Sequence, residues 1–186
     1  MGFTRDELEA CRGRSLPDLL PDPLNLLFVG INPSLWTIAA GAHFSRPGNR
    51  FYPALYEAGI TDTRINAAAG FTDADLRQLT DRGIGITNLV PVATARADEL
   101  DDADLIAGRA RLDALVREHH PRVVAVLGVG AYRTAFHDRK AKVGRQESPW
   151  PGIELFVAPN PSGLNAHYRL ADLAESYGEI ARAAGI

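Results

Sequence analysis

Asn25-Leu-Leu-Phe-Val-Gly-Ile31 is a short, apolar, partly β-branched run that stops at Asn32-Pro33. An apolar stretch of this length without polar alternation predicts a strand buried on both faces, as in a parallel sheet. Three further stretches share its character, each bounded by Gly or Pro: Gly85-Ile-Thr-Asn-Leu89, Arg122-Val-Val-Ala-Val-Leu-Gly128 and Ile153-Glu-Leu-Phe-Val-Ala158. Helical patterns lie between and after them, over Arg50 to Ala58, Asp73 to Arg82 with Thr72 as N-cap, Ala103 to His119, Gly130 to Phe136 and Leu170 to Ala184. Strands alternating with helices predict a single α/β domain, a three-layer α/β/α sandwich with a mainly parallel central sheet. Such sheets bind ligands beyond the carboxyl ends of their strands, at a topological switch point.

The chain has 186 residues, which fits one domain, here expected over 24–186 after a proline-broken leader, 1–23, carrying Pro17, Pro21 and Pro23. No apolar run approaches the ~18 residues that span a bilayer, and Met1 to Arg14 is polar and mixed in charge, so neither a membrane anchor nor a secretion signal is expected. A cytoplasmic, nucleoid-associated location is the corresponding expectation. Cys11 is the only cysteine, which excludes an internal disulfide and argues against a cysteine-held zinc or iron–sulfur site. His119 and His120 are helix neighbours pointing about 100° apart and cannot converge on one ion. The acidic run Asp98 to Asp104 lacks calcium-loop spacing and reads as a solvated helix start. No metal and no cofactor are expected.

The net charge of −3 is unlike that of a generic nucleic-acid binder, but binding follows the local field. Arg133, Arg139, Lys140, Lys142 and Arg145 gather in one short segment, where a basic rim is expected; a solvated loop without a partner is the alternative.

Two strands end in the same tripeptide, Asn32-Pro-Ser34 and Asn160-Pro-Ser162, so both units fall at the edge where ligands bind. Proline after Asn removes a backbone donor and biases the Asn away from the helical region, which holds its amide in place; a simple turn opener is the competing reading.

Gly30-Ile-Asn-Pro-Ser-Leu35, Gly41-Ala-His-Phe-Ser-Arg-Pro-Gly-Asn-Arg-Phe51, Gly85-Ile-Thr-Asn-Leu-Val90 and Asn160-Pro-Ser-Gly-Leu164 occur in that order. Together they resemble the motifs of the mismatch-specific uracil-DNA and thymine-DNA glycosylase family, over most of the chain from about Leu24. The resemblance implies a uracil-DNA glycosylase-like fold and a monofunctional enzyme that cleaves the bond between a flipped base and deoxyribose in mispaired duplex DNA. Asn32 would hold the hydrolytic water. Phe44 would stack on the flipped pyrimidine, backbone amides near Ile31 and Phe44 would meet its polar edge, and Asn88 would touch the base or the water. The Asn160, Ser162, Gly163 and Leu164 loop would be the wedge, Leu164 entering the vacated base step and Gly163 facing the orphaned base. The amides around Gly130, where Leu127-Gly-Val-Gly-Ala131 opens a helix, could receive a DNA phosphate, as could Lys140 and Lys142. As a dinucleotide fingerprint that glycine pattern fails, because its third glycine is missing.

The chain departs from the family at Ser34, where Gly is common, and at Asn165-Ala166-His167, where bacterial members carry a Ser-Arg pair. The first change could alter room around the water or the base. The second removes a contact to the opposite strand and weakens guanine-opposite selectivity. Lys140 and Lys142 are the only lysines, and neither sits on a strand end near Asn32, so a Schiff-base lyase step is not expected. A preference for hypoxanthine, xanthine or ethenocytosine, and a non-catalytic lesion or nucleotide sensor, are the alternatives. A monomer is expected.

Overall fold

The structure is a computed structural model and describes residues 2–186. Its four apolar runs form parallel strands: β1 (Leu26–Gly30), β2 (Ile84–Asn88), β3 (Val123–Leu127) and, late in the chain, Glu154–Ala158. Before that last strand comes a short polar one, β4 (Gly144–Gln146), so that Glu154–Ala158 is β5. The sheet order is β2-β1-β3-β5-β4, with only β4 antiparallel. The expected sandwich with a mainly parallel sheet is the fold observed.

Every residue of β1, β2 and β3 is buried, which is why these strands read as continuous apolar runs without alternation. Alternate side chains serve two cores. Leu26, Phe28, Ile86, Ala125 and Phe156 face α3 (Phe51–Glu57), α4 (Asp73–Thr80) and α7 (Leu170–Ala184). Leu27, Val29, Val124, Val126 and Val157 face α5 (Asp102–His119) and α6 (Val129–Ala135).

Two of the predicted helix starts carry reciprocal capping boxes. Thr72 accepts from the Asp75 N–H while Asp75 reaches back to the Thr72 N–H, and Asp101 and Asp104 do the same for α5. The acidic run is therefore a helix cap. Four elements were not foreseen: α1 (Arg5–Glu9), α2 (Leu35–Ala40), a single 3-10 turn at Ala97–Glu99, and β4, all too short to show a period.

The segment before Leu24 lies against the sheet. Leu19 exchanges two backbone hydrogen bonds with Ile86, at 2.9 and 2.8 Å, which covers the outer edge of β2. Among the described residues no helix is long and apolar enough to cross a membrane.

Gly108 marks where α5 crosses the end of β2. A Cβ there would stand 2.4 Å from the Leu89 carbonyl oxygen. In an open helix Gly→Ala gains up to about 1 kcal/mol, but here the helix would have to lift off the strand end. Gly108→Ala is expected to destabilise by roughly 1–3 kcal/mol, the range for overpacking, read as a lower urea midpoint at unchanged slope.

Candidate active site

The neighbours of β1 in the sheet are β2 on one side and β3 on the other, so the chain's connections diverge at its carboxyl end. A cleft of about 390 Å³ opens there. Its lining includes Ile31, Asn32, Phe44, Asn88, Asn160 and Leu164, and Ser162 as well, so the residues predicted from the first, second, third and last motifs share one cavity. Gly163 is not among its lining residues but belongs to the same loop.

Asn32 follows β1 directly. The Leu89 N–H donates to the Gly30 carbonyl and the Val90 N–H to the Ile31 carbonyl, each at 2.9 Å, and Thr94 N–H reaches Pro33 O at 3.3 Å. This zipper lays the 89–94 loop beside Asn32. The Asn32 Nδ2 donates to the Val92 carbonyl at 3.1 Å and to Thr94 Oγ1 at 2.8 Å. A carbonyl only accepts, so the nitrogen end of the amide is fixed by its partner. Thr94 Oγ1 spends its own proton on the Arg96 carbonyl, at 2.7 Å, and can only accept from Asn32. Both Asn32 donors are thereby engaged and its Oδ1 is left as a fixed acceptor on the cleft wall.

Gly30 makes room for the opposite wall. A Cβ at this position would lie 2.4 Å from Asn88 Oδ1 and 3.1 Å from the Phe44 ring. Asn88 is buried at the end of β2, and its main-chain carbonyl accepts from Arg111 Nη1 at 2.8 Å. Arg111 in turn pairs with Asp18, and Thr87 Oγ1 donates to the other Asp18 oxygen at 2.7 Å. An ion pair from the N-terminal segment to α5 thus braces the strand end that carries Asn88.

Phe44 has a φ of 53°, a left-handed conformation that is uncommon for a bulky residue and costs on the order of 1–3 kcal/mol unless its surroundings impose it. One face of its ring stacks on Phe51 at 4.2 Å between centroids, and the ring also borders the cleft. Beside it His43 is buried and donates through Nε2 to the Pro17 carbonyl at 3.0 Å. Burial pushes its pKa below the usual histidine value, although the Pro17 carbonyl and the Asp18 charge pull it back up in part. His43 therefore borders the cleft as a neutral ring.

The last motif forms a loop closed on itself. Asn160 Oδ1 accepts the Ser162 N–H at 2.9 Å, Ser162 Oγ the Leu164 N–H at 3.3 Å, and Asn165 Nδ2 donates to the Asn160 carbonyl at 3.1 Å. Leu164 at its tip is 72% exposed, a degree of exposure that excludes a core role.

Gly130 and Lys142 come together in a second groove, which meets the cleft at Ile31, Asn160 and Asn165. Lys140 is exposed and is not among its lining residues. The expected basic rim is narrower than the sequence suggested. Arg133 is spent on the Ala141 carbonyl and Arg145 on Glu154, which leaves Arg139, Lys140 and Lys142 without ion pairs among the described residues. On the far side of the cleft Arg96 is paired with Asp98, whereas Arg46 forms no ion pair among the described residues. Sequence reasoning missed Thr94, Arg111, Asp18, His43 and Arg46. Only His43 and Arg46 lay inside a quoted motif. No group of three or more potential metal ligands occurs among the described residues.

Comparison with known proteins places this geometry. A model of the uracil DNA glycosylase superfamily matches residues 17–181. Among solved structures, the solution structure of a candidate uracil DNA glycosylase from Methanosarcina acetivorans superposes with a TM-score of 0.61. It is 19% identical, and the match covers 94% of this chain and 99% of that one, a likeness in fold.

The buried His43 has a consequence for stability. Its pKa is lowered on folding from 6.5, so below that pH the unfolded chain binds the proton more readily and stability falls as pH falls. The melting temperature should drop between about pH 7 and pH 5, and His43→Gln, which can keep the bond to Pro17, should show a shallower drop. Parallel melting curves of the two proteins over that range would refute the assignment.

Proposed function

The chain belongs to the uracil DNA glycosylase superfamily and is a DNA glycosylase, and from that premise we propose that it excises uracil from mispaired duplex DNA in the manner of the mismatch-specific branch. The observation that carries this reading is the Asn32 amide, clamped through its nitrogen with its oxygen free beside Phe44 and Asn88.

The chemistry follows from that amide. As the glycosidic bond to uracil stretches, positive charge grows on the sugar and negative charge on the base. Water attacking such a centre needs placement more than deprotonation, and Asn32 Oδ1 can accept a hydrogen bond from the water and aim its oxygen, with no proton passing to the amide. Asn is no general base near neutral pH, so turnover is slow. The flipped base stacks on the Phe44 face turned away from Phe51. The Asn88 amide and main-chain N–H groups near Ile31 and Phe44 meet the developing uracil anion, an interaction worth roughly 3 to 4 kcal/mol in other enzymes. Thymine and other deaminated or alkylated bases are further candidates for the same pocket.

Extrusion of the base costs a few kcal/mol and is cheapest at a mispair, which selects damage before any contact is made. Leu164 then fills the gap from its loop, with Gly163, Asn160 and Ser162 holding it and facing the orphaned base. Lys142 and the amides near Gly130 receive phosphates in the adjoining groove, with Lys140 beyond it. The enzyme acts as a monomer, without metal or cofactor, and leaves an intact abasic site.

Base release from a duplex with one G·U mispair is the test. Wild type should produce alkali-labile abasic sites, and Asn32→Ala should lose at least about a hundredfold in single-turnover rate while still binding the duplex. If wild type releases hypoxanthine, xanthine or ethenocytosine but not uracil, the substrate reading falls and the amide's role stands. If Asn32→Ala keeps full rate, the water-holding role is wrong.

Leu164→Ala separates wedge from core. It should slow excision from duplex with a change in folding stability within about 0.5 kcal/mol, whereas truncating a packed Leu costs about 2–5 kcal/mol.

A further inference from the structure

We propose that Arg50 is a positioning residue that ties the wedge loop to the base pocket, so that extrusion of the base and insertion of Leu164 are carried out by one rigid unit; this rests on the proposed function above. Arg50 stands immediately before α3 and directs four hydrogen bonds into the loop. Its main-chain N–H donates to the Pro161 carbonyl at 2.9 Å. Its Nη2 donates to the carbonyls of Ser162 at 2.9 Å and Asn165 at 2.8 Å, and its Nη1 to that of Tyr168. These acceptors lie on both sides of Leu164.

Among the described residues the guanidinium has no carboxylate partner, and its Nε is buried without any hydrogen-bond partner. A half-buried cation held only by carbonyl dipoles gives up much of its hydration, and the main return in the structure is the shape of this loop. Backbone contact reinforces the tie: a Cβ on Gly163 would stand 2.6 Å from the Gly48 carbonyl oxygen, so the loop rests directly on the segment leading from Phe44 to Arg50. The next residue, Phe51, supports the other half of the site by stacking on Phe44. Two consecutive residues thus hold the ring beneath the base and the loop that carries the wedge. A lysine cannot replace this arrangement, because three carbonyls in different directions need the planar fork.

The test uses the full chain as wild type, Arg50→Gln, Arg50→Lys, Leu164→Ala and the Arg50→Gln/Leu164→Ala double variant. Two measurements are made. Hydrogen exchange reads the amides of residues 162–168 without any substrate; in both Arg50 variants they should exchange on the order of tenfold faster, while the amides of β1 and β3 keep their protection. Single-turnover excision from the G·U duplex should fall on the order of tenfold in Arg50→Gln and in Leu164→Ala, with the double variant no slower than the worse single, since both remove the same wedge. A general loss of stability would instead multiply with the Leu164 effect and loosen the sheet amides too.

Unchanged exchange in 162–168, or fully multiplicative rate losses, would overturn the proposal. If wild type excises no uracil, the proposed function fails on its own, and the exchange measurement still decides whether Arg50 holds the loop. Should Arg50→Gln fail to fold, Arg50→Lys carries both measurements.

Discussion

The missing side chain at Gly30 is the constraint on which the site depends. Three segments from different parts of the chain must meet over the end of β1: the strand itself, Asn88 from the end of β2 and Phe44 from the loop before α3. With Asn88 Oδ1 2.4 Å from where a Cβ would stand, and the Phe44 ring 3.1 Å from it, no larger residue lets both close in. The unusual backbone of Phe44 belongs to the same packing. A left-handed phenylalanine persists because Phe51 behind its ring and the Tyr52 hydroxyl, 2.7 Å from the His43 carbonyl, hold the loop there. The pocket is thus fixed by what its residues lean on, with β1 fully buried between two strands at its base.

The cleft works with amides and aromatic surface more than with charge. Asn32, Asn88 and Asn160 line it, His43 is neutral, and Arg96 is cancelled by Asp98. This suits a bond whose cleavage creates its own charges, where fixed dipoles stabilise the transition state without first being stripped of water. It also accounts for an overall charge of −3 in a DNA glycosylase. Arg46 lines the cleft and Lys142 the adjoining groove, and a few such cations set the local field whatever the sum over the surface. The acidic residues near α5 cap the helix or pair with Arg96 and Arg12, so much of their charge is met within the protein.

The fold was legible because its four parallel strands are buried, and each of them falls within a residue or two of its apolar run. The longer helices α4 and α5, which start on full capping boxes, were equally plain, whereas α1 has such a box but only five residues behind it. What escaped was short or tertiary: α2 spans six residues and β4 three, lengths at which no period can register. The site divided in the same way. Asn32, Phe44, Asn88 and Leu164 stood in motifs, and the fold brings them to one cleft. The groups that hold them did not stand out, because Thr94 lies 62 residues from Asn32, Asp18 93 from Arg111 and Tyr168 118 from Arg50. Partners so far apart leave no trace in local spacing.

The departures from the family pattern gain a physical account from the same contacts. Ser34 Oγ accepts the Thr37 N–H at 3.2 Å and meets the Thr37 hydroxyl at 3.1 Å, so it caps α2. Its hydroxyl is engaged in starting a helix, and the position of the neighbouring Asn32 amide is set by its own clamp to Val92 and Thr94. Asn165 braces the loop from inside, through its amide to Asn160 and its carbonyl to Arg50. His167 is exposed and borders the groove that holds Lys142. A residue devoted to the loop's own shape has little left for the opposite strand. On the proposed wedge role, recognition of the orphaned base would fall to the Gly163 backbone and Leu164, a surface suited to reading the absence of a partner more than the identity of the base across from it.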